Sequence, residues 1–233
     1  MIAAVIFDMD GVLLDSEQLW DEVREQLAAE HGGRWTERSQ REMMGMSSPE
    51  WSAYMHDVVG LAESPEEISA EVVQRIEARY CERLPLLPGA EAAVRRLAAV
   101  WPLGLASSSN REVIDLALEL SGLAPCFRAT VSSEEVGRGK PAPDVYLEAA
   151  ARLGVPPAAC AAVEDSHNGI RSANAAGMTV LAIPNPHYPP DAEALALADA
   201  TLRSLDELTP DAVSGAGSAR ASAPGGGGAS AAS

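Results

Sequence analysis

Two carboxylates separated by one residue follow the first apolar segment of the chain. Asp8 and Asp10 come directly after residues 1–7, an apolar run with β-branched and aromatic side chains, and Gly11 follows them. Side chains two residues apart in an extended chain point to the same side, so both carboxylates would face one location. They would repel each other unless a cation joined them or one held a proton. Because Asp-x-Asp-Gly also occurs in ordinary turns, the pair alone indicates either a catalytic site or a turn.

A second pair of carboxylates, Glu164 and Asp165, ends another apolar run at residues 160–163. In a parallel sheet the carboxyl ends of the strands meet at one edge, where ligands bind. Four carboxylates at that edge favour a hard, oxygen-coordinated divalent cation, and we expect Mg²⁺. Neither cysteines nor histidines occur at the spacing of zinc ligands, which argues against zinc. For Glu164 an alternative role is stabilising the N-terminus of the following helix.

Hydroxyl groups and one lysine are candidates for binding an anion near these carboxylates. Ser107 and Ser108 close the apolar run at residues 103–106, just before a helical pattern begins. Hydroxyls and free backbone N–H groups at a helix start can bind an anion, although they can equally cap the helix. Lys140 stands on a short loop between a glycine and a proline. It is either the cation that faces the carboxylates or an exposed surface lysine.

Alternating helices and strands must position these groups. Helical patterns at residues 90–99, 110–121, 144–153 and 168–176 alternate with apolar runs at 103–106, 129–131, 160–163 and 179–183. Strands separated by helices predict βαβ units, and residues 1–7 would add a further strand. We therefore predict an α/β fold, a doubly wound, Rossmann-like parallel sheet with helices on both faces.

Residues 15–85, called the cap segment below, show no strand pattern and predict an inserted α-helical cap domain. The segment has 16 acidic and seven basic residues, a net charge of −9. One apolar stripe repeats every four residues, at Ile68, Val72, Ile76, Tyr80 and Leu84. The catalytic core would then comprise residues 1–14 and 86–213. Residues 214–233 are almost entirely Ser, Gly and Ala, which predicts a disordered tail.

The composition excludes several functional classes. The chain of 233 residues has 17 Lys and Arg against 34 Asp and Glu, a formal net charge of −17. Such a surface repels nucleic acids and anionic membranes, so we expect neither as a partner. The three cysteines form no C-x-x-C pair, and neither a signal peptide nor a membrane-spanning run is evident. We expect a cytoplasmic monomer.

The order of the motifs along the chain is more specific than any one of them. The chain resembles the haloacid dehalogenase-like (HAD) superfamily, and within it the β-phosphoglucomutase-like phosphatase branch. The segments that carry the resemblance are residues 8–17, 106–109, 139–144 and 163–166. The cap segment falls where this family carries its cap domain.

The resemblance implies a reaction on a small-molecule phosphate ester. Asp8 would attack phosphorus and form an aspartyl-phosphate, and Asp10 would act as general acid and then as general base. Ser107 would donate a hydrogen bond to a phosphate oxygen, with Ser108 beside it, and Lys140 would screen the nucleophile and the phosphoryl group.

The resemblance also implies a set of metal ligands. Asp8, the backbone carbonyl of Asp10, and Asp165 would hold Mg²⁺. Glu164 would be a further ligand or would contact one. The cation would lower the repulsion between these carboxylates and the phosphate.

Three other functions compete with a phosphatase. Haloacid dehalogenases lack the second aspartate, which is present here as Asp10. Mutases of the β-phosphoglucomutase type carry a histidine where this chain has Trp20 and an arginine where it has Ser48. The negative cap segment disfavours a second phosphate unless Arg24, Arg41 or another cap arginine turns inward. A non-catalytic phosphate-binding protein on the same fold is the third alternative.

One apolar cluster of the cap segment permits two interpretations. Its members either line a substrate pocket or form the cap's own core, and they are Trp20, Met43, Met44, Met46 and Trp51.

Overall fold

A six-stranded parallel sheet forms the centre of the molecule. The computed structural model describes residues 1–43 and 46–222, without the side chains of residues 37 and 41. The strand order is β3-β2-β1-β4-β5-β6, and every pair is parallel. The strands are β1 (Ala4–Phe7), β2 (Leu103–Ser107), β3 (Phe127–Ser132), β4 (Cys160–Glu164), β5 (Thr179–Ala182) and β6 (Ala200–Thr201). This confirms the predicted doubly wound, Rossmann-like α/β fold.

The central strand β1 positions the start of the candidate site. All four of its residues are buried, as are all residues of β2, β4 and β5, because helices cover both faces of the sheet. In the sheet Phe7 pairs with Leu105 of β2 and with Val163 of β4. The chain order reverses at β1, where β2 lies on one side and β4 on the other. Ligands bind at such a switch point in open α/β sheets.

The described part of the chain contains ten α-helices. Four lie in the cap segment: α1 (Glu17–Glu30), α2 (Glu37–Met43), α3 (Ser48–Tyr54) and α4 (Pro65–Glu82). The others are α5 (Ala90–Ala98), α6 (Arg111–Ser121), α7 (Asp144–Leu153), α8 (His167–Ala175), α9 (Ala192–Leu195) and α10 (Pro210–Ser222). Among the described residues, no helix combines the length and the apolar character that crossing a membrane requires.

The long cap helix α4 follows the predicted apolar stripe. Four of the five stripe residues are buried in it, whereas Leu84 lies beyond the end of the helix. The helix begins with a capping box, in which Ser64 accepts a hydrogen bond from the backbone N–H of Glu67 and the Glu67 carboxylate accepts one from that of Ser64.

The two ends of the cap segment lie side by side. The backbone N–H of Asp15 donates to the carbonyl of Pro85 at 2.7 Å, and that of Leu87 donates to the carbonyl of Leu13 at 2.9 Å. This contact supports the predicted boundaries of residues 15–85, although the division into two domains stays a prediction.

The C-terminal helix α10 corrects part of the predicted disordered tail. Residues 214–222 are helical, and Ala216 and Gly217 are buried. A Cβ atom on Gly217 would lie 2.7 Å from the Ile2 side chain, so only a residue without one permits this close approach. Composition hides such packing because small residues bury little area each. Residues 223–233 of the predicted tail lie outside the described residues.

Two truncations separate the packed part of this helix from the rest of the tail. A chain that ends at Val213 loses the buried residues Ala216 and Gly217 of α10 and the ion pair of Arg220 with Asp199 at 2.9 Å. We expect its melting temperature to fall by roughly 2–8 °C, as for a loss of about 1–2 kcal/mol in a chain of this size. A chain that ends at Ser222 should melt like the full-length protein. Equal melting temperatures for both truncations would show that residues 214–222 contribute nothing.

Candidate active site

The predicted site residues converge where β1, β2 and β4 end. Asp8 follows β1, Ser107 ends β2, Glu164 ends β4 and Asp165 follows it. One carboxylate oxygen from each of Asp8, Glu164 and Asp165 lies within 4.8 Å of the others. The turn after β1 passes directly over this group at Gly11.

Gly11 makes this close approach possible. Its φ is +81°, a conformation that residues with a Cβ rarely adopt. A Cβ atom there would lie 1.9 Å from Asp165 Oδ2. Glycine is therefore required here by the backbone conformation and by the carboxylate beside it.

Lys140 is the cation that faces the carboxylates. Its Nζ lies 2.7 Å from Asp8 Oδ1 and 2.6 Å from Glu164 Oε1, and its side chain is 3% exposed. Burial alone would lower the pKa of Lys140, but the charges of Asp8 and Glu164 outweigh it and raise the pKa above its ordinary value. Lys140 is therefore a fixed, protonated group, and the surface-lysine alternative is wrong.

Burial raises the pKa of Asp8 to about 7, with Lys140 opposing this and Glu164 and Asp10 adding to it. A nearby cation would favour the ionised form that a nucleophile needs.

Three hydroxyl groups surround Asp10. Ser16 donates to Asp10 Oδ1 at 2.5 Å, and Ser109 donates to Oδ2 at 2.6 Å. Ser107, predicted to contact a phosphate oxygen, donates to Asp10 Oδ2 at 3.4 Å and accepts from the N–H of Ser109 at 3.0 Å. The predicted residue Ser108 lines the cavity described below. Sequence reasoning missed Ser16 and Ser109, although Ser109 belongs to the same serine run.

Glu164 uses both of its oxygens within the protein. Oε1 accepts from Lys140 and, at 2.7 Å, from the hydroxyl of Tyr146. Oε2 accepts from the backbone N–H of Asp165 at 3.1 Å and from that of Ser166 at 3.4 Å. Glu164 therefore holds Lys140 and the turn into α8, in line with the helix-terminus alternative; its role as a metal ligand stays a prediction.

Asp165 offers a free oxygen toward the other carboxylates. Its Oδ2 accepts from Asn185 at 3.3 Å, whereas its buried Oδ1 has no hydrogen-bond partner in the described part of the chain. Burial, together with the charges of Glu164 and Asp8, raises the pKa of Asp165 well above its ordinary value. A buried carboxylate oxygen without a partner, beside two further carboxylates, fits a hard cation. The group could therefore hold a metal ion.

A cavity lies between these residues and the cap segment. On the sheet side it is lined by Asp8, Asp10, Ser108, Ser109, Lys140 and Ser166, and on the cap side by Glu17, Trp20, Arg24, Met43, Met46 and Trp51. The predicted apolar cluster of the cap segment therefore both lines the cavity and contributes to the core, because Trp20, Met43 and Trp51 are also buried core residues. Met44 lies outside the described residues. Glu17, Trp20 and Arg24 share one face of α1, a spacing that could have indicated this wall.

A doubly wound sheet with paired aspartates, a buried lysine and a carboxylate group at its switch point matches the site expected of a phosphate-ester hydrolase. Residues 2–177 match the haloacid dehalogenase-like hydrolase family. Hexitol phosphatase B of Escherichia coli K12 is 38% identical over 218 residues, covering 89% of this chain and 95% of that protein.

Two solved structures have the same fold as this chain. CbbY from Rhodobacter sphaeroides in complex with phosphate has a TM-score of 0.82 and 26% identity, covering 92% of this chain and 100% of that one. β-Phosphoglucomutase from Clostridium difficile shares the fold, with a TM-score of 0.81, 23% identity and coverage of 94% and 98%. The chain belongs to the haloacid dehalogenase-like hydrolases and is a phosphoric monoester hydrolase.

Tyr146, which sequence reasoning missed, contacts both Glu164 and Lys140, and we expect it to position them. Tyr146→Phe removes the hydroxyl bonded to Glu164 while keeping the ring, whose centroid lies 5.1 Å from Lys140 Nζ. We expect kcat to fall roughly three- to tenfold with KM nearly unchanged, because about 1 kcal/mol of hydrogen bonding that orients Lys140 is lost. The matched control is Tyr54→Phe, which removes a 2.7 Å bond to Glu42 outside the site and should leave kcat unchanged. A lowered melting temperature with normal kcat would assign Tyr146 a structural role only.

Glu17 provides a pH-dependent test of the cavity. Burial, followed by the charges of Asp10 and Asp21, raises the pKa of Glu17 to about 8. Because the folded state then binds a proton that the unfolded state releases, stability contributed by this group is lost as the pH rises from about 4.5 to 8. Glu17→Gln should therefore melt higher than the wild type at pH 8, by roughly 2–4 °C per kcal/mol gained. At about pH 4.5 the two proteins should differ little. A constant difference across this range would contradict the raised pKa.

Proposed function

We propose that the protein hydrolyses a small phosphate monoester through an aspartyl-phosphate on Asp8, with Mg²⁺ as its cofactor. The observation that carries this proposal is the contact of Asp8 with Lys140 at the end of the central strand, with Asp10 held by hydroxyls in the same cavity. The function of the E. coli relative, which its name gives as a hexitol phosphatase, supports a small phosphorylated substrate.

In the first step, an Asp8 carboxylate oxygen forms a bond to phosphorus as the bond from phosphorus to the ester oxygen breaks. Asp10 donates a proton to the departing oxygen, so that an alcohol is released. The ammonium of Lys140 lies beside Asp8 and lowers the repulsion between this carboxylate and the incoming phosphoryl group.

In the second step, a water molecule attacks phosphorus and the bond from phosphorus to Asp8 breaks. Asp10, now a carboxylate, takes the proton of this water. Inorganic phosphate leaves, and the Asp8 carboxylate and the protonated Asp10 are restored. The hydroxyls of Ser16 and Ser109 fix the Asp10 carboxyl group for both proton transfers.

The cation would be held by Asp8, Asp165 and the backbone carbonyl of Asp10, with Glu164 as a further candidate. The partnerless Oδ1 of Asp165 is the observation in favour of this set. When bound, Mg²⁺ supplies positive charge against the phosphoryl oxygens.

We also propose that the protein acts in the cytoplasm, where its three cysteines, all free, stay reduced. The monomeric state expected from the sequence stays a prediction.

The nucleophile can be tested with Asp8→Asn, a nearly isosteric change. We expect phosphate release from p-nitrophenyl phosphate in the presence of Mg²⁺ to fall to less than a few per cent of the wild-type kcat, because both the nucleophile and a metal ligand are lost. Asp57→Asn, at an exposed position of the cap segment, is the matched control and should keep full activity. Mass spectrometry would exclude deamidation of the new asparagine. Substantial turnover by Asp8→Asn without deamidation would refute the assignment.

A product assay distinguishes the phosphatase from the mutase alternative. The protein is incubated with β-glucose 1-phosphate and a trace of glucose 1,6-bisphosphate, and both products are followed. We expect inorganic phosphate to be released without activation by the bisphosphate, because Trp20 occupies the cavity where a mutase carries a histidine. Glucose 6-phosphate that accumulates faster than free phosphate would establish the mutase.

A further inference from the structure

Arg24 is a buried cation on the cap side of the cavity. Its guanidinium carbon lies 4.9 Å from the ring centroid of Trp20 and 4.8 Å from that of Trp51. The residue is 8% exposed and lines the same cavity as Asp8 and Lys140. The two indole rings therefore hold the guanidinium in place by cation–π contacts.

The Arg24 side chain makes no hydrogen bond and no ion pair within 4.0 Å among residues 1–43 and 46–222, and its buried Nε has no partner there. The carboxylates whose charges act on the Arg24 guanidinium are those of Asp21, Glu17 and Asp10. Asp21 instead accepts hydrogen bonds from Tyr188, at 3.0 Å, and from Gln40.

Other arginines of the cap segment differ from Arg24. Three of them form ion pairs with carboxylates at the surface: Arg38 with Glu42, Arg75 with Glu30 and Glu71, and Arg79 with Glu22. An acidic segment thus offers many partners, yet its buried arginine is directed into the cavity instead.

A buried guanidinium without an anionic partner is costly, and cation–π contacts offset only part of that cost. Its planar fork of donors matches the oxygens of a carboxylate or a phosphate. A ligand oxyanion in the cavity would therefore supply the anionic hydrogen-bond partner that the described residues do not give Arg24.

We propose that Arg24 binds a second oxyanion, a carboxylate or a phosphate, on the leaving-group part of the substrate. The enzyme would then select phosphate esters that carry another negative charge. This inference rests on the proposed function, which places the reacting phosphoryl group at Asp8 and Lys140 on the sheet side of the cavity.

The negative charge of the cap segment does not oppose this binding strongly. Its exposed carboxylates are screened by salt beyond a Debye length of about 8 Å, whereas Arg24 would touch the ligand. The one cavity carboxylate on the same helix face, Glu17, has a pKa raised by burial to about 8 and is largely neutral at pH 7.

The test compares substrate pairs that differ in one anionic group. 6-Phosphogluconate is paired with glucitol 6-phosphate, which has a hydroxymethyl group in place of the carboxylate, and fructose 1,6-bisphosphate is paired with fructose 6-phosphate. In the wild type we expect kcat/KM to favour the anionic member of at least one pair by about tenfold or more, as for a charge-assisted hydrogen bond. The pair that shows the preference tells a carboxylate from a second phosphate.

The preference ratio is then measured in variants. Arg24→Met should bring the ratio close to one, and Arg24→Lys, which keeps the charge without the fork, should retain part of it. Arg79→Met is the matched control, because it removes a cap arginine that lies outside the cavity, and it should keep the wild-type ratio. Because the buried charge is costly, Arg24→Met should not lower the melting temperature.

A binding measurement keeps this inference separate from the proposed function. Asp8→Asn and the double variant Asp8→Asn/Arg24→Met are titrated with 6-phosphogluconate and fructose 1,6-bisphosphate, and tryptophan fluorescence reports on Trp20 and Trp51. We expect tighter binding when Arg24 is present. No phosphate release from any ester, with this binding intact, would refute the proposed function only. Neutral members preferred in both pairs, or a ratio unchanged by Arg24→Met, would overturn the role of Arg24.

Discussion

The contact of Lys140 with Asp8 and Glu164 is the interaction on which the site depends. Three buried carboxylates meet where β1 and β4 end, and so much negative charge would be unfavourable without a cation. Lys140 compensates part of this negative charge. The Glu164 carboxylate is itself held by the hydroxyl of Tyr146 and by backbone N–H groups at the start of α8. The free oxygen of Asp165 leaves room for a metal ion to balance the remainder. In the proposed mechanism this one arrangement prepares both the nucleophile and the binding site for the phosphoryl group.

The second aspartate connects this centre to the cap segment. Asp10 is held by Ser109 from the core and by Ser16, the residue directly before α1. The same helix carries Glu17, Trp20 and Arg24 into the cavity. The group proposed as acid and base therefore lies where the chain leaves the sheet, next to the wall that would recognise the substrate.

The strands and their polar ends could be predicted because a fully buried strand appears as an apolar run, and the runs that form β1, β2 and β4 end in, or are followed by, residues of the site. Ser16 and Tyr146 could not be found in this way, since periodicity indicates which residues are buried but not which buried polar groups meet. Arg24 was named from the sequence only as one of several cap arginines that could turn inward. Residues 214–222, which belong to helix α10, were wrongly predicted to be disordered. Small residues such as Gly217 pack by close approach of the backbone, and the apolar area that a composition suggests does not reveal this packing.

The central claim is that Asp8 carries the phosphoryl group during turnover. The most direct measurement is rapid acid quenching of the full-length protein with Mg²⁺ and an excess of phosphate ester, followed by digestion and mass spectrometry of the peptide that contains Asp8. The account predicts that this peptide gains the mass of one phosphoryl group during turnover, with the modification located on Asp8. A phosphoryl group on another residue, or turnover with none on Asp8 at any quench time, would contradict it.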